Sequence, residues 1–259
     1  MKREGTWAYY RLKGNNPFFT EIRPVVESKF QQDTSLSSDR ERLLAVLEDR
    51  RCRSLDFFDR HARQWDELVR DSLPTAPYQS QLLESLPDLK VVLEVGVGTG
   101  NLLEGLRRRS QRVIGVDHSC VMLEQARQRV TQAGSCGIEL RLGEMRHLPV
   151  SDNEVQWAVL NMVLHHAALP QQVFHELARV LSPGGGITLA DLHRHEDEWV
   201  RDRMADQWLG FERGELEGWL QAAGFETVSF QLVSGAPEEH AVVLLSAVKK
   251  NASAPGALL

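Results

Sequence analysis

Gly96, Gly98 and Gly100 follow directly on an apolar run in "VVLEVGVGTGNLLEGL", residues 91–106, and their spacing is the first place where this chain could do chemistry. Glycine lets a backbone turn tightly and approach a ligand closely, and a helix starting just beyond the turn offers unpaired N–H groups to an anion. A dinucleotide fingerprint would put its last glycine at the sixth position, which here is Asn101, and no Gly-Lys-Ser/Thr follows as a phosphate loop requires. Both phosphate readings lose ground. A nucleoside that carries an amino-acid carboxylate suits the pattern better.

The acids downstream extend that reading. Asp117 closes the next apolar run, "RVIGVD", where a carboxylate can accept hydrogen bonds from both hydroxyls of a ribose. Ser119 is the better placed residue to cap the helix that follows, which frees Asp117 for a ligand. In "LGEMRHLPV", Glu144 is an acceptor for an exocyclic amine, and Met145 is a soft apolar contact for a purine face. His165 and His166 stand together near a strand end; His166, and His193 further on, are the candidate bases. His193 and His195 in "DLHRHEDEW" alternate without a third partner, a poor metal site, so no metal is expected.

Short apolar runs alternate from residue 91 with amphipathic helices: "VVLEV", "RVIGVD", "VMLEQARQRV", "WAVLNMV", "VFHELARVL", "ITLADL". That alternation predicts an α/β fold, an open sheet with helices on both faces. "ETVSFQLV" and "AVVLLSAV" predict a C-terminal antiparallel hairpin at the sheet edge, and "NASAPGALL", 251–259, reads as a flexible tail. Before the sheet, Ser38 with Glu41 three residues on suggests an N-cap, and Leu43, Leu44, Leu47, Leu55, Phe58, Trp65 and Leu68 recur at helical spacing. These linking or lid helices, 38–73, need a partner surface, either the main domain or a second copy of the chain. Their apolar stripe is the candidate homodimer face.

A chain of 259 residues with 42% hydrophobic residues can bury a full core, and a net charge of −6 argues against nonspecific nucleic-acid binding by the whole molecule. Cys52, Cys120 and Cys136 are far apart and form no CxxC, so they read as reduced thiols. No apolar stretch approaches the length of a membrane span, and the expectation is a cytoplasmic protein with no membrane partner.

"VLEVGVGTG", "GVDHSCVML", "GEMRHLP", "LHH" and "RVLSPGGG", in that order, resemble class I S-adenosylmethionine-dependent methyltransferases over roughly residues 55 to 250. The resemblance implies a Rossmann-like sheet, a cofactor-binding domain over 74–250, and S-adenosylmethionine or S-adenosylhomocysteine as the ligand. It further implies that Gly96, Gly98 and Gly100 wrap the methionyl part and that Glu94 holds its ammonium. Asp117 would take the ribose, His118 and Met122 would flank the adenosine, Glu144 and Met145 would meet the adenine, and Asn161 would line the floor. Gln156 stands where the family often has an aspartate opening the fourth strand, and Glu94 and Val97 stand where aspartate and cysteine are commoner.

"REGTWAYYRL" near the start resembles the wing of ArsR-type winged-helix repressors, and "FFDRHARQWD", 57–66, resembles the junction of chains that join such a repressor to a methyltransferase-like domain. The expectation is a residual wing and linker over 1–37, with DNA as a partner only if a full winged helix lies upstream. Two functions follow from these resemblances. One is transfer of a methyl group to a small-molecule acceptor, which enters beneath the helix of "FFDRHARQWDEL" and the insert "EDEWVRDRMADQWLGF", with Trp199 and Trp208 lining the way. The other is a sensor of S-adenosylmethionine or S-adenosylhomocysteine in a transcriptional regulator, for which Gln156 would mark a pocket freed from turnover.

Overall fold

A computed structural model describes residues 2–4, 7–9, 17–32, 37–72, 78–234 and 240–250. The chain forms two compact units, Met1–Asp49 and Arg50–Leu259. The predicted tail, 251–259, lies outside the described residues.

In the first unit, β1 (Lys2–Glu4) and β2 (Trp7–Tyr9) pair antiparallel, with Lys2 opposite Tyr9 and Glu4 opposite Trp7. Helix α1 (Pro17–Gln32) follows, with a proline at its first position, where no N–H is needed, and another, Pro24, inside. Helix α2 (Ser37–His61) starts one residue before the predicted cap. Ser38 therefore sits in the first turn instead of at the N-cap, a shift within the range over which helix ends fray. Phe18, Val25, Leu43, Leu44 and Val46 are exposed.

The division at Asp49 falls inside α2, well past the 37/38 boundary expected from sequence, because burial begins only in the second half of the helix. There Phe58 and Ala62 pack with Met122 in a small cluster flanked by Phe57, Trp65 and Val121. Helix α3 (Trp65–Ser72) continues after one turn of 3₁₀ helix.

The larger unit is built on a seven-stranded sheet in the order β5-β4-β3-β6-β7-β9-β8. Strands β3 (Leu89–Val95), β4 (Ser110–Asp117), β5 (Ile138–Leu142), β6 (Val155–Asn161) and β7 (Leu181–Leu192) run parallel to one another. Strand β8 (Phe225–Val233) forms the edge, and β9 (Val242–Lys249) inserts antiparallel between it and β7. The C-terminal hairpin thus forms as expected, with its second strand one place in from the edge. Both faces of the sheet are covered, which is why the strands read as nearly continuous apolar runs. Alternate residues serve opposite cores: Leu93, Val95, Ile114 and Leu160 pack with α7 (Pro170–Val180) through Phe174 and Leu177, while Val92, Val113 and Val159 join Leu82, Leu103, Leu106 and Leu123 from the other side. The latter come from α4 (Tyr78–Glu84), α5 (Leu103–Arg109) and α6 (Cys120–Ala133).

Strand β3 lies between β4 and β6, so the winding of the sheet reverses there and opens a crevice beyond the carboxyl ends of these strands. Between β7 and β8 the chain forms α8 (Trp199–Arg203) and α9 (Arg213–Ala222), whose capping box joins Glu212 and Glu215. Among the described residues no helix is long and apolar enough to cross a membrane.

Candidate cofactor and acceptor site

The glycine loop turns at the end of β3. Gly96, Gly98 and Gly100 all take left-handed φ values, +72°, +52° and +84°, which side chains disfavour. The backbone N–H groups of Gly96 and Val97 donate to the carbonyl of Val116, at 2.8 and 3.1 Å. A Cβ added to Gly96 would stand 2.2 Å from Val163 Cγ2, whereas one on Gly98 would meet only Trp65 Nε1, at 3.8 Å. Gly96 is thus a packing glycine, and Gly98 presents its backbone to open space.

Asp117, at the end of β4, accepts hydrogen bonds from the N–H of Gly98 (2.8 Å) and of Ser119 (2.9 Å). It braces the glycine loop as well as forming part of the wall. Burial raises its carboxyl pKa, against the pull of His118 and these N–H groups. Ser119 caps α6 as expected, its hydroxyl accepting from the N–H of Met122 at 3.0 Å.

The cleft at this switch point has a volume of about 1030 Å³, including space open to solvent. The structure brings Glu94, Gly96, Gly98, Asp117, His118, Met122, Met145, Asn161 and His166 to its wall. Glu94 is 2% exposed and its Oε2 has no hydrogen-bond partner. Burial, and then the charge of Asp117, push its carboxyl well above the ordinary range, a penalty that a bound cation would relieve. His118 Nε2 and Asn161 Oδ1 are likewise buried without partners. A buried carboxylate at Glu94, open backbone at Gly98 and unpartnered polar atoms of His118 and Asn161 on the same wall fit an amino-acid headgroup joined to a nucleoside.

Three expected site residues lie elsewhere. Gly100 turns its back on the cleft: an added Cβ would meet Leu103 and Ala126, so its part is to seat the loop on α5 and α6. Glu144 is held by Arg51 at 2.8 Å and is absent from the wall, although its neighbours Gly143 and Met145 are on it. His193 lies past the end of β7, where the chain bends to pair with Phe211 and its N–H donates to the carbonyl of Ala241. That bend keeps it off the wall. Gln156 opens β6 at the far end of the strand, accepting from the N–H of Lys90 at 2.7 Å, so it cannot report on turnover in the pocket.

The acceptor end of the cleft is formed by residues distant in sequence. A 3₁₀ turn, Leu164–His166, follows β6, and Asp191 from β7 fastens it: its carboxylate accepts from the N–H of Leu164 at 2.9 Å and from His165 Nδ1 at 2.7 Å. The segment after α8 docks on the same turn, with the N–H groups of Gln207 and Trp208 both donating to the carbonyl of His165 at 3.0 Å and Trp208 Nε1 donating to that of Ala167 at 2.8 Å. This docking carries Met204 and Asp206 to the wall. Trp199 is exposed and Trp208 packs on Phe211 and Trp219, so neither lines the entry as expected from sequence.

Phe58, Trp65 and Val69 close the cleft from α2 and α3, and Tyr78 closes it from α4. The Phe58 ring meets His166 and His118 edge to face, with centroids 4.9 and 5.7 Å away. Asp66 ties this roof to the glycine loop by accepting from Thr99 Oγ1 at 2.6 Å and Asn101 Nδ2 at 3.0 Å. "FFDRHARQWD" pointed to this roof. Met204 and Asp206 lie in the insert "EDEWVRDRMADQWLGF" expected over the entry, but nothing in the sequence singled them out from its tryptophans.

Residues 93–189 match the family model for a methyltransferase domain. An arsenite methyltransferase of Halobacterium salinarum is 34% identical over 142 residues, which cover 52% of this chain and 34% of that protein. The chain matches only about a third of the length of such curated relatives. Among solved structures, the methyltransferase in a complex with the Haloferax volcanii Trm112 activator superposes with a TM-score of 0.64 at 20% identity, over 75% of this chain and 98% of that one. A S-adenosylmethionine-dependent methyltransferase from Aquifex aeolicus gives 0.60 at 22% identity, over 73% and 97%. The fold is the Rossmann-like methyltransferase fold.

Proposed function

We propose that the chain binds S-adenosylmethionine in the crevice at β3, β4 and β6 and transfers its methyl group to a small-molecule acceptor. The observation that carries this reading is Glu94, a buried carboxylate whose Oε2 has no hydrogen-bond partner, on the same wall as the left-handed Gly98. Glu94 takes the ammonium, the open backbone at Gly98 lies against the methionyl part, and Asp117 and the ring of His118 hold the ribose and adenine side, with Met122 and Met145 against the purine.

S-adenosylmethionine brings a methyl group already activated on a sulfonium. The protein therefore needs mainly to bind, align and exclude water. Phe58, Trp65 and Met204 exclude water, and the acceptor faces His165, His166 and Asp206. Burial, and then His165, keep His166 well below the ordinary histidine range, so it stands neutral as a proton acceptor. None of the three cysteines lines the cleft, and all are exposed, so the thiolates that would suit a soft metalloid acceptor are not offered there.

A second reading, a ligand-sensing domain of an ArsR-type regulator, is favoured by the β1–β2 hairpin, which supplies the paired strands of a wing. The exposed Leu43, Leu44 and Val46 of α2 suit a second copy of the chain. Residence in the cytoplasm accords with the free thiols.

Calorimetric titration of the full chain with S-adenosylmethionine and with S-adenosylhomocysteine tests the reading. Micromolar binding of both, about −8 kcal/mol, is expected, with Glu94→Gln weakening both. Binding of the demethylated product alone would favour the sensor, and binding of neither would overturn both readings.

A further inference from the structure

We propose that His165, His166 and Asp206 form a binding site for one divalent first-row transition ion of the zinc type at the acceptor end of the cleft. A ring nitrogen from each histidine and a carboxylate oxygen of Asp206 all lie within 4.8 Å of one another. All three residues are buried, and all three face the cleft. His165 Nε2 is 3.5 Å and His166 Nδ1 3.6 Å from Asp206 Oδ1; His166 Nδ1 also lies 3.4 Å from the carbonyl of Ala205, a long contact that the ion would replace. These separations are long for hydrogen bonds, but they match the edge of a tetrahedron: ligands about 2.1 Å from a common ion stand about 3.4 Å apart.

Two further features point to a ligand. Asp206 Oδ1 is buried with no hydrogen-bond partner, although its side chain is only 2% exposed. His165 Nδ1 bonds to Asp191, which in the neutral ring leaves the Nε2 lone pair facing Asp206. A carboxylate holding the far nitrogen of a ligating histidine is the usual arrangement around a metal, where it fixes the ring and makes it a better donor. In the absence of an ion a proton on His165 Nε2 answers Asp206 across the 3.5 Å; a divalent ion takes the place of that proton, and two nitrogens with one oxygen are a donor set for zinc, iron(II) or cobalt(II). The sequence concealed this set because Asp206 lies forty residues beyond the histidines and is carried to them by the docking of Gln207 and Trp208 on the His165 carbonyl.

Binding of the ion does not depend on the methyl-transfer reading; the use of the ion does. An acceptor hydroxyl bound to the ion loses its proton to solvent more readily. Its oxygen then bonds to the methyl carbon while the carbon–sulfur bond breaks and leaves its electron pair on sulfur. In that case His166 serves as a ligand, and no separate base is needed.

The test is a cobalt(II) titration of the chelator-treated full chain, followed by visible absorption and reversed with zinc, with S-adenosylhomocysteine affinity measured in parallel. One equivalent with the strong absorption of four-coordinate cobalt is expected. Asp206→Asn should weaken it at least tenfold, and Asp191→Asn, which acts through His165, should do so by about 10- to 100-fold. Both variants should keep their S-adenosylhomocysteine affinity, which shows that they fold. Loss of the signal in His240→Ala but not in Asp206→Asn would overturn the proposal and put the ion on the surface group of His195, Asp197 and His240. Absence of stoichiometric binding, or binding unchanged in Asp206→Asn, would also overturn it. Cobalt binding at Asp206 without any S-adenosylhomocysteine binding would keep the ion site and sink the methyl-transfer reading instead.

Discussion

The two ends of the cleft are built by opposite means. At the glycine end the backbone does the work: three left-handed glycines within five residues, carbonyl-bound N–H groups, and one aspartate bracing the loop. At the histidine end the backbone only delivers side chains, and it does so from β6, β7 and the segment after α8. The first end suits a ligand whose headgroup is fixed. The second can change its chemistry through a single residue without disturbing the sheet.

Separate failure of the two ends would sharpen that contrast. Gly98→Leu should fill the cradle and lower S-adenosylhomocysteine affinity at least about 100-fold, or about 2.7 kcal/mol, while cobalt binding stays as in the unaltered chain. Calorimetry on the variant checks this. A simultaneous loss of both ligands would break the comparison, since the ends would then be one unit.

Within the glycine end, Gly96→Ala should cost roughly 3 kcal/mol in urea unfolding, because the left-handed φ and the overlap with Val163 add together. Gly98→Ala should cost only about 1 kcal/mol, for the φ alone. Equal costs would mean that Val163 moves aside freely. At the histidine end, Trp208→Phe keeps a ring against Phe211 and Trp219 but removes the bond to the Ala167 carbonyl, for about 1 kcal/mol. Cobalt affinity should fall with it if that bond helps to place Asp206.

The smallest effect is expected far from both ends. Arg141 and Arg112 bring the Glu139 carboxyl down to about 2, so its contribution to stability is present above the ordinary value of 4.5 and is lost as pH falls through 2. The pair is exposed and screened by solvent, so Glu139→Gln should change stability at pH 7 by less than about 0.5 kcal/mol. Urea midpoints measured between pH 4.5 and 2 should show the variant losing less than the parent.

The alternation of strands and helices, the glycine turn and Asp117 were legible from local pattern at strand ends, whereas Glu94, His118, Met122 and Asn161 came from the family resemblance alone; all of these residues except Gly100 stand on the wall. Glu144 was misplaced because a loop residue is free to choose its partner, and Arg51, ninety-three residues away, takes it. His193 was misplaced because a bend after the strand, invisible in the residue types, turns it toward Phe211. Periodicity and glycine spacing by themselves determined the doubly covered sheet and the glycine turn, since both follow from nearest-neighbour geometry along the chain. Only the tertiary structure decided the acceptor end, because bringing Asp191 and Asp206 to His165 depends on which loops pack together, and that is settled by burial and hydrogen bonding across the whole unit.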